Sequence, residues 1–146
     1  MRFVSTPLSL SFDQLVYQIV ALENAWTCDR ERASLCHASA DLRHHMCAAL
    51  VRLDDNQFGS YETIDGEAKI LAHEAFLSVL ALGQLLVRAA DDGLADERAI
   101  DNTRDAVDHT LDLLTPFVSR ADDALRRVLL ENLSLDDALA GVMCGQ

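Results

Sequence analysis

FLSVLALGQLLV, residues 76–87, is the stretch on which the fold turns. Only Ser78, Gly83 and Gln84 interrupt its apolar run, and it shows no alternation of the kind a half-buried strand requires. A helix that is apolar on nearly every side has to be covered on several sides. The segment therefore predicts a central helix. The wider stretch Ile70–Ala90 is long enough to cross a bilayer, but it contains His73, Glu74, Gln84 and Arg88. Spanning would bury several unpaired polar groups, so a core helix is expected rather than a membrane span.

The neighbours of this segment also read as helices. Asp91-Asp92-Gly93 should end the central helix, and Asp54–Asp65, with Asn56, Gly59 and Ser60, should precede it as the main connection. The central helix is expected from about Ile64 to Ala90. The next should start near Asp96, with Ile100, Thr103, Val107, Leu111 and Leu114 on one face. Thr115-Pro116 then predicts either a kink or a new helix capped by Thr115 and running to about Glu131. Ser134-Leu-Asp-Asp137 predicts a final short helix.

Towards the N-terminus, Ser11-Phe-Asp-Gln14 fits a capping box flanked by a Leu10–Leu15 staple. Steps of three and four residues from there give Phe12, Leu15, Ile19, Leu22, Trp26, Asp29, Ala33, Cys36, Ala40, Arg43, Cys47 and Leu50. This seam is broken only at Asp29 and Arg43. It suits one bent helix, or two with a break around Thr27–Glu31 capped by Thr27 or Asp29. On the seam, Trp26 is expected in the core, and Arg43 either pairs with an acid or extends to the surface.

The expected fold is all-α: one domain over 1–146, a bundle of four to six helices with long antiparallel helices and a central apolar one. Residues 1–10 are expected as a flexible N-terminus and 55–63 as the main inter-helix loop. Half of the 146 residues are hydrophobic, and glycine and proline number six and two, which accords with a helical globular chain.

The net charge of −12 argues against direct binding to nucleic acid or anionic membrane and leaves a basic protein as a natural partner. One lysine against eleven arginines, and seventeen Asp against seven Glu, suggest a GC-rich bacterial genome. No convincing signal sequence opens the chain, so a cytoplasmic location with reduced thiols is expected.

CHASADLRHHMC, residues 36–47, invites a metal or redox reading. At about 100° per residue, His37, Asp41 and His44 share a flank and could act as three ligands. Bundle metal sites repeat their ligand motif on facing helices, and this chain carries no Glu-x-x-His, His-x-x-x-His or Cys-x-x-Cys. The flank is therefore expected to be a solvated helix face, with His45 pointing farther towards solvent and no cofactor implied. Cys36 and Cys47, on the seam, are expected to pack as small hydrophobes.

Asp101, Asp105, Asp108 and Asp112 form a second pattern, a stripe opposite the Ile100/Val107 face and continued backwards by Glu97. Such a stripe can be a solvated face, a docking surface for a basic segment, or a mimic of a phosphate row. His73-Glu74 lacks the second histidine of a zinc-protease motif, and no glycine-rich phosphate loop or nucleophile elbow is present. The function expected is a non-enzymatic protein–protein interaction module, regulatory, adaptor or chaperone-like, that self-associates through the small-residue seam. An acidic nucleic-acid-mimicking inhibitor is the alternative, and a metal-binding or redox bundle the third.

Overall fold

The computed structural model describes residues 7–54, 60–93 and 96–131. Among them lie five α-helices and no strand: α1 (Pro7–Ala25), α2 (Asp29–Asp54), α3 (Gly66–Asp92), α4 (Glu97–Leu114) and α5 (Arg120–Leu130). A short 3₁₀ turn, Thr115–Phe117, joins the last two. The expected final helix at Ser134, and Cys144, fall outside the described residues.

α1 packs on α2 and α4, α2 on α3, and α3 on α4, so the first four helices close into a ring; α5 then covers α3. Cross-helix contacts set the directions. Ser11 meets Thr110 and Gln18 faces Thr103, so α1 and α4 are antiparallel. Arg52 pairs with Asp65 and His45 with Glu74, so α2 and α3 are antiparallel too. His73 meets Asp122 and Gly83 meets Leu130, so α5 runs parallel to α3.

α3 is central, as its apolar run predicts. It is long and apolar enough to cross a membrane by length and composition. Here Ala72, Phe76, Val79, Leu80, Leu82 and Leu86 are buried against the surrounding helices. Gly83 lets those helices close in: a Cβ at this position would lie 3.2 Å from Leu130 and 3.3 Å from Val107. The ends of α3 are set locally. The Asp65 carboxylate accepts from the amide of Ala68, and Gly93 adopts φ 66 at the C-cap, where its amide bonds the carbonyl of Ala89.

The N-terminal reading needs correction in three places. α1 begins at Pro7, where a missing amide proton costs nothing, so residues 7–10 are helical rather than flexible. Ser11 lies inside the helix, and its hydroxyl meets Thr110 across the α1–α4 interface at 2.8 Å instead of capping. Leu10 is 56% exposed and staples nothing to Leu15, which is fully buried.

The seam also changes phase. Phe12, Leu15, Ile19, Leu22 and Trp26 are buried as expected, and helix then gives way at 26–28. Past that break the buried residues of α2 are Leu35, Ser39, Leu42, Met46, Ala49 and Leu53. From Cys36 to Leu50, the residue before each expected seam position is the buried one. Cys36, Ala40, Arg43 and Cys47 consequently face outwards. Asp29 is the first residue of α2 rather than its cap, and Arg32 donates to the carbonyl of Trp26 across the break.

The start of α5 departs from expectation as well. Thr115 does not cap it; its hydroxyl bonds the carbonyl of Leu111 at 2.9 Å. Ser119 is the N-cap, and Ser119 and Asp122 close a capping box. That motif satisfies two amides reciprocally, more than a lone threonine before proline achieves.

Candidate functional site

Three surfaces carry the residues with chemistry. On α2, His37, Asp41 and His44, weighed as ligands and expected as a solvated flank, are all exposed. Only Asp41 reaches the groove between α2 and α3, a cleft of about 260 Å³ lined also by Ala38, His45, Glu74, Leu77, Ser78 and Ala81. His45, expected towards solvent, is half-buried, and its Nδ1 lies 3.3 Å from Glu74 Oε2. The correction follows from the one-residue phase shift, which swings His45 towards α3. Ser78 donates its hydroxyl proton to the carbonyl of Glu74 at 2.9 Å, so that proton is committed to the backbone. Among the described residues, no group of three His, Cys, Asp or Glu side chains is placed to hold a metal ion.

His73 and Glu74 are adjacent in sequence and diverge in space. About 100° of helical rotation sends Glu74 to His45 on α2 and His73 to Asp122 on α5. The His73 Nδ1 to Asp122 Oδ1 distance is 2.7 Å, and the Asp122 side chain is only 10% exposed. Asp122 thereby does two tasks, since its other oxygen accepts from the amide of Ser119 in the capping box. This anchors α5 on α3. Lys69, one turn before His73, lies 4.7 Å above the ring of Tyr61, whose amide bonds the carbonyl of Pro116. These contacts tie the 60–65 turn to α3 and to the 3₁₀ turn that precedes α5.

The stripe on α4 is exposed at Asp101, Asp105, Asp108 and Asp112, as its position opposite Ile100 and Val107 predicts. α5 breaks its continuity. Arg126, whose side chain is 14% exposed, places Nη1 2.7 Å from Asp112 and Nη2 3.6 Å from Asp108. Even so, burial, with repulsion from Asp112 and Asp105, outweighs the Arg126 attraction and raises the Asp108 pKa. Two of the four carboxylates thus belong to a helix–helix clamp, and Asp101 and Asp105 remain as the outward pair.

Sequence reading missed the third surface, the outward side of α1. Leu10 is 56%, Tyr17 69% and Val20 43% exposed. They lie opposite the buried Leu15, Ile19 and Leu22. The signal for it in the sequence is that α1 has apolar residues on both of its faces.

No protein-family model, curated protein or solved structure matches the chain.

Proposed function

We propose that the chain is a non-enzymatic protein–protein interaction module, a small regulatory, adaptor or chaperone-like protein of a bacterial cytoplasm. Its contact surface is the outward side of α1. The observation that carries this reading is the grouping of Leu10, Tyr17 and Val20 on one helix face, each over two-fifths exposed. Scattered apolar residues are normal on a protein surface, whereas several on one face suit an interface, and tyrosine is a favoured interface residue. The free thiols of Cys28, Cys36 and Cys47 are in keeping with a reducing compartment.

A second reading is favoured by Asp101 and Asp105, exposed one turn apart on α4 in a chain of net charge −12. They could receive a basic segment, or act as an acidic mimic that occupies a nucleic-acid-binding cleft. Affinity capture from the host, run at low and high salt, separates the two. Partners held through α1 survive high salt and are lost with Tyr17→Glu. Partners held through α4 fall away with salt and are lost with Asp101→Asn plus Asp105→Asn.

A further inference from the structure

The core does not account for the burial of Ala124 on α5. Asp122 meets His73 of α3, and Arg126 meets Asp108 and Asp112 of α4, so these two residues mark the inward side of α5. At about 100° per residue, Ala124 is turned about 160° from both of them. Yet only 2% of it is exposed. Among the described residues, Leu125, Leu129 and Leu130 pack against the hydrophobic core, and Ala124 stands apart from it. Something other than α3 and α4 therefore covers the outward side of α5.

We propose that residues 134–143 of this chain form a helix that packs antiparallel on that side, so that α5 lies between α3 and the chain's own C-terminal segment. Only Glu131, Asn132 and Leu133 separate Leu130 from Ser134, and so short a connection makes consecutive helices antiparallel neighbours. Ser134-Leu-Asp-Asp137 repeats the Ser-x-x-Asp spacing of Ser119 and Asp122, which form a capping box. Beyond it, Leu135, Ala138, Leu139 and Val142 follow at i, i+3, i+4 and i+7, one apolar face. Such a helix is about 15 Å long, which matches the eleven-residue α5.

Charge favours the same pairing. The exposed charged residues within about 60° of Ala124 are Arg120, Arg127 and, at the C-cap, Glu131. The segment carries Asp136 and Asp137 and no base. In antiparallel register both acids lie beside the last turn of α5, near Arg127, which is half-exposed and only loosely paired with Asp123 at 3.8 Å. Residues 1–6 compete as cover through Phe3 and Val4, but they hold no comparable apolar face and lead into α1 rather than out of α5. The pairing is independent of the contact proposed for α1.

The test is hydrogen exchange of the full chain, read on peptides from residues 120–130. Leu139→Asp sets a charge on the apolar face and should speed exchange of the α5 amides roughly tenfold or more, with α1 and α2 unchanged. Ala140→Asp sets the same charge on the opposite side of the segment and should leave α5 at the wild-type rate. Circular dichroism checks that the variants fold, and if Leu139→Asp loses helix throughout, Leu139→Ala is read in the same way. An α5 that exchanges at the wild-type rate in the Leu139 variant, or equally fast in both, overturns the pairing. If Phe3→Asp releases α5 instead, the N-terminal residues are the cover and the proposal falls.

Discussion

The hydroxyls of Ser11 and Thr110 meet at 2.8 Å between α1 and α4, ninety-nine residues apart in the chain and both buried. Thr110 donates its own proton to the carbonyl of Ala106, so Ser11 is the donor across the interface. Beside it the helices pack through Leu15, Ile19, Val107 and Leu111, all buried. The pair therefore fixes the relative register of α1 and α4 within an otherwise apolar contact.

Removing one partner leaves a buried polar group without its mate. Thr110→Val should cost about 1–2 kcal/mol by stranding the Ser11 donor, and Ser11→Ala somewhat less. The double variant should cost less than the sum, because no unmatched hydroxyl then remains. A coupling energy near zero in denaturant melts would show that the two hydroxyls do not depend on one another.

The phase of α2 predicts opposite behaviour for neighbouring residues. Cys36 and Cys47 are exposed, so a thiol reagent should modify both rapidly in the folded protein. Leu35 and Met46, one residue away and fully buried, should each cost about 2–5 kcal/mol on replacement by alanine, while Cys36→Ala and Cys47→Ala stay within about 0.5 kcal/mol. Slow native labelling of Cys36 would restore the unshifted seam.

Arg126 makes the two carboxylates it touches differ. Its 2.7 Å bond to Asp112 is direct, and Asp112→Asn should lower stability by about 1 kcal/mol, since the carboxylate is largely exposed while the guanidinium it leaves behind is mostly buried. Asp108 should behave in the opposite way. Burial, reinforced by Asp112 and Asp105, raises its folded pKa above the ordinary 3.8 despite Arg126. A raised folded pKa means that the favourable contribution is complete below the unfolded value and is lost as pH climbs through the folded one. Asp108→Asn should therefore raise the melting temperature at neutral pH and leave it unchanged in strong acid. Thermal melts of both variants across pH decide it.

The Asp65 cap predicts a change of the other sign. The amide of Ala68, with help from Arg52, holds its carboxylate below the ordinary 3.8. A lowered folded pKa contributes stability above the unfolded value, and that contribution disappears as pH falls through the folded one. Asp65→Ala should lower stability at neutral pH and make less difference in acid. An equal effect at both ends of the range would remove the cap from the account.

Glycine tests the packing of α3. Gly83→Leu should destabilise by about 1–3 kcal/mol, because Val107 is stiff and leaves little room for a larger side chain. Gly93→Ala should cost about 1–2 kcal/mol for a different reason, a left-handed backbone with open space around it. Crystal structures or hydrogen exchange of the variants would show disturbance of the α3–α4–α5 contact only for the first.

The chain by itself determined what depends on residues within a turn or two of each other. Helical periodicity marked α3 as central and put Ile100, Thr103, Val107, Leu111 and Leu114 on the buried side of α4. The end of α3 at Gly93 and the start of α4 at Asp96 rest on bonds to groups at most four residues away and were legible in sequence, whereas the equally local Asp65 cap was not, the start being expected near Ile64. The Ser119–Asp122 box was equally local and was overshadowed by Thr115-Pro116.

Only tertiary structure decided how separate helices relate. Periodicity gives a helix its faces but does not carry azimuth across the three non-helical residues 26–28, so the phase of α2 follows from its packing on α3. That one-residue displacement moved both cysteines outwards and brought His45 to Glu74. The partners of Ser11, His73 and Arg126 lie on other helices, up to ninety-nine residues away, where spacing in sequence holds no distance information. Local hydrogen bonding and burial period are written residue by residue; pairing between helices arises only once apolar packing has chosen which faces meet.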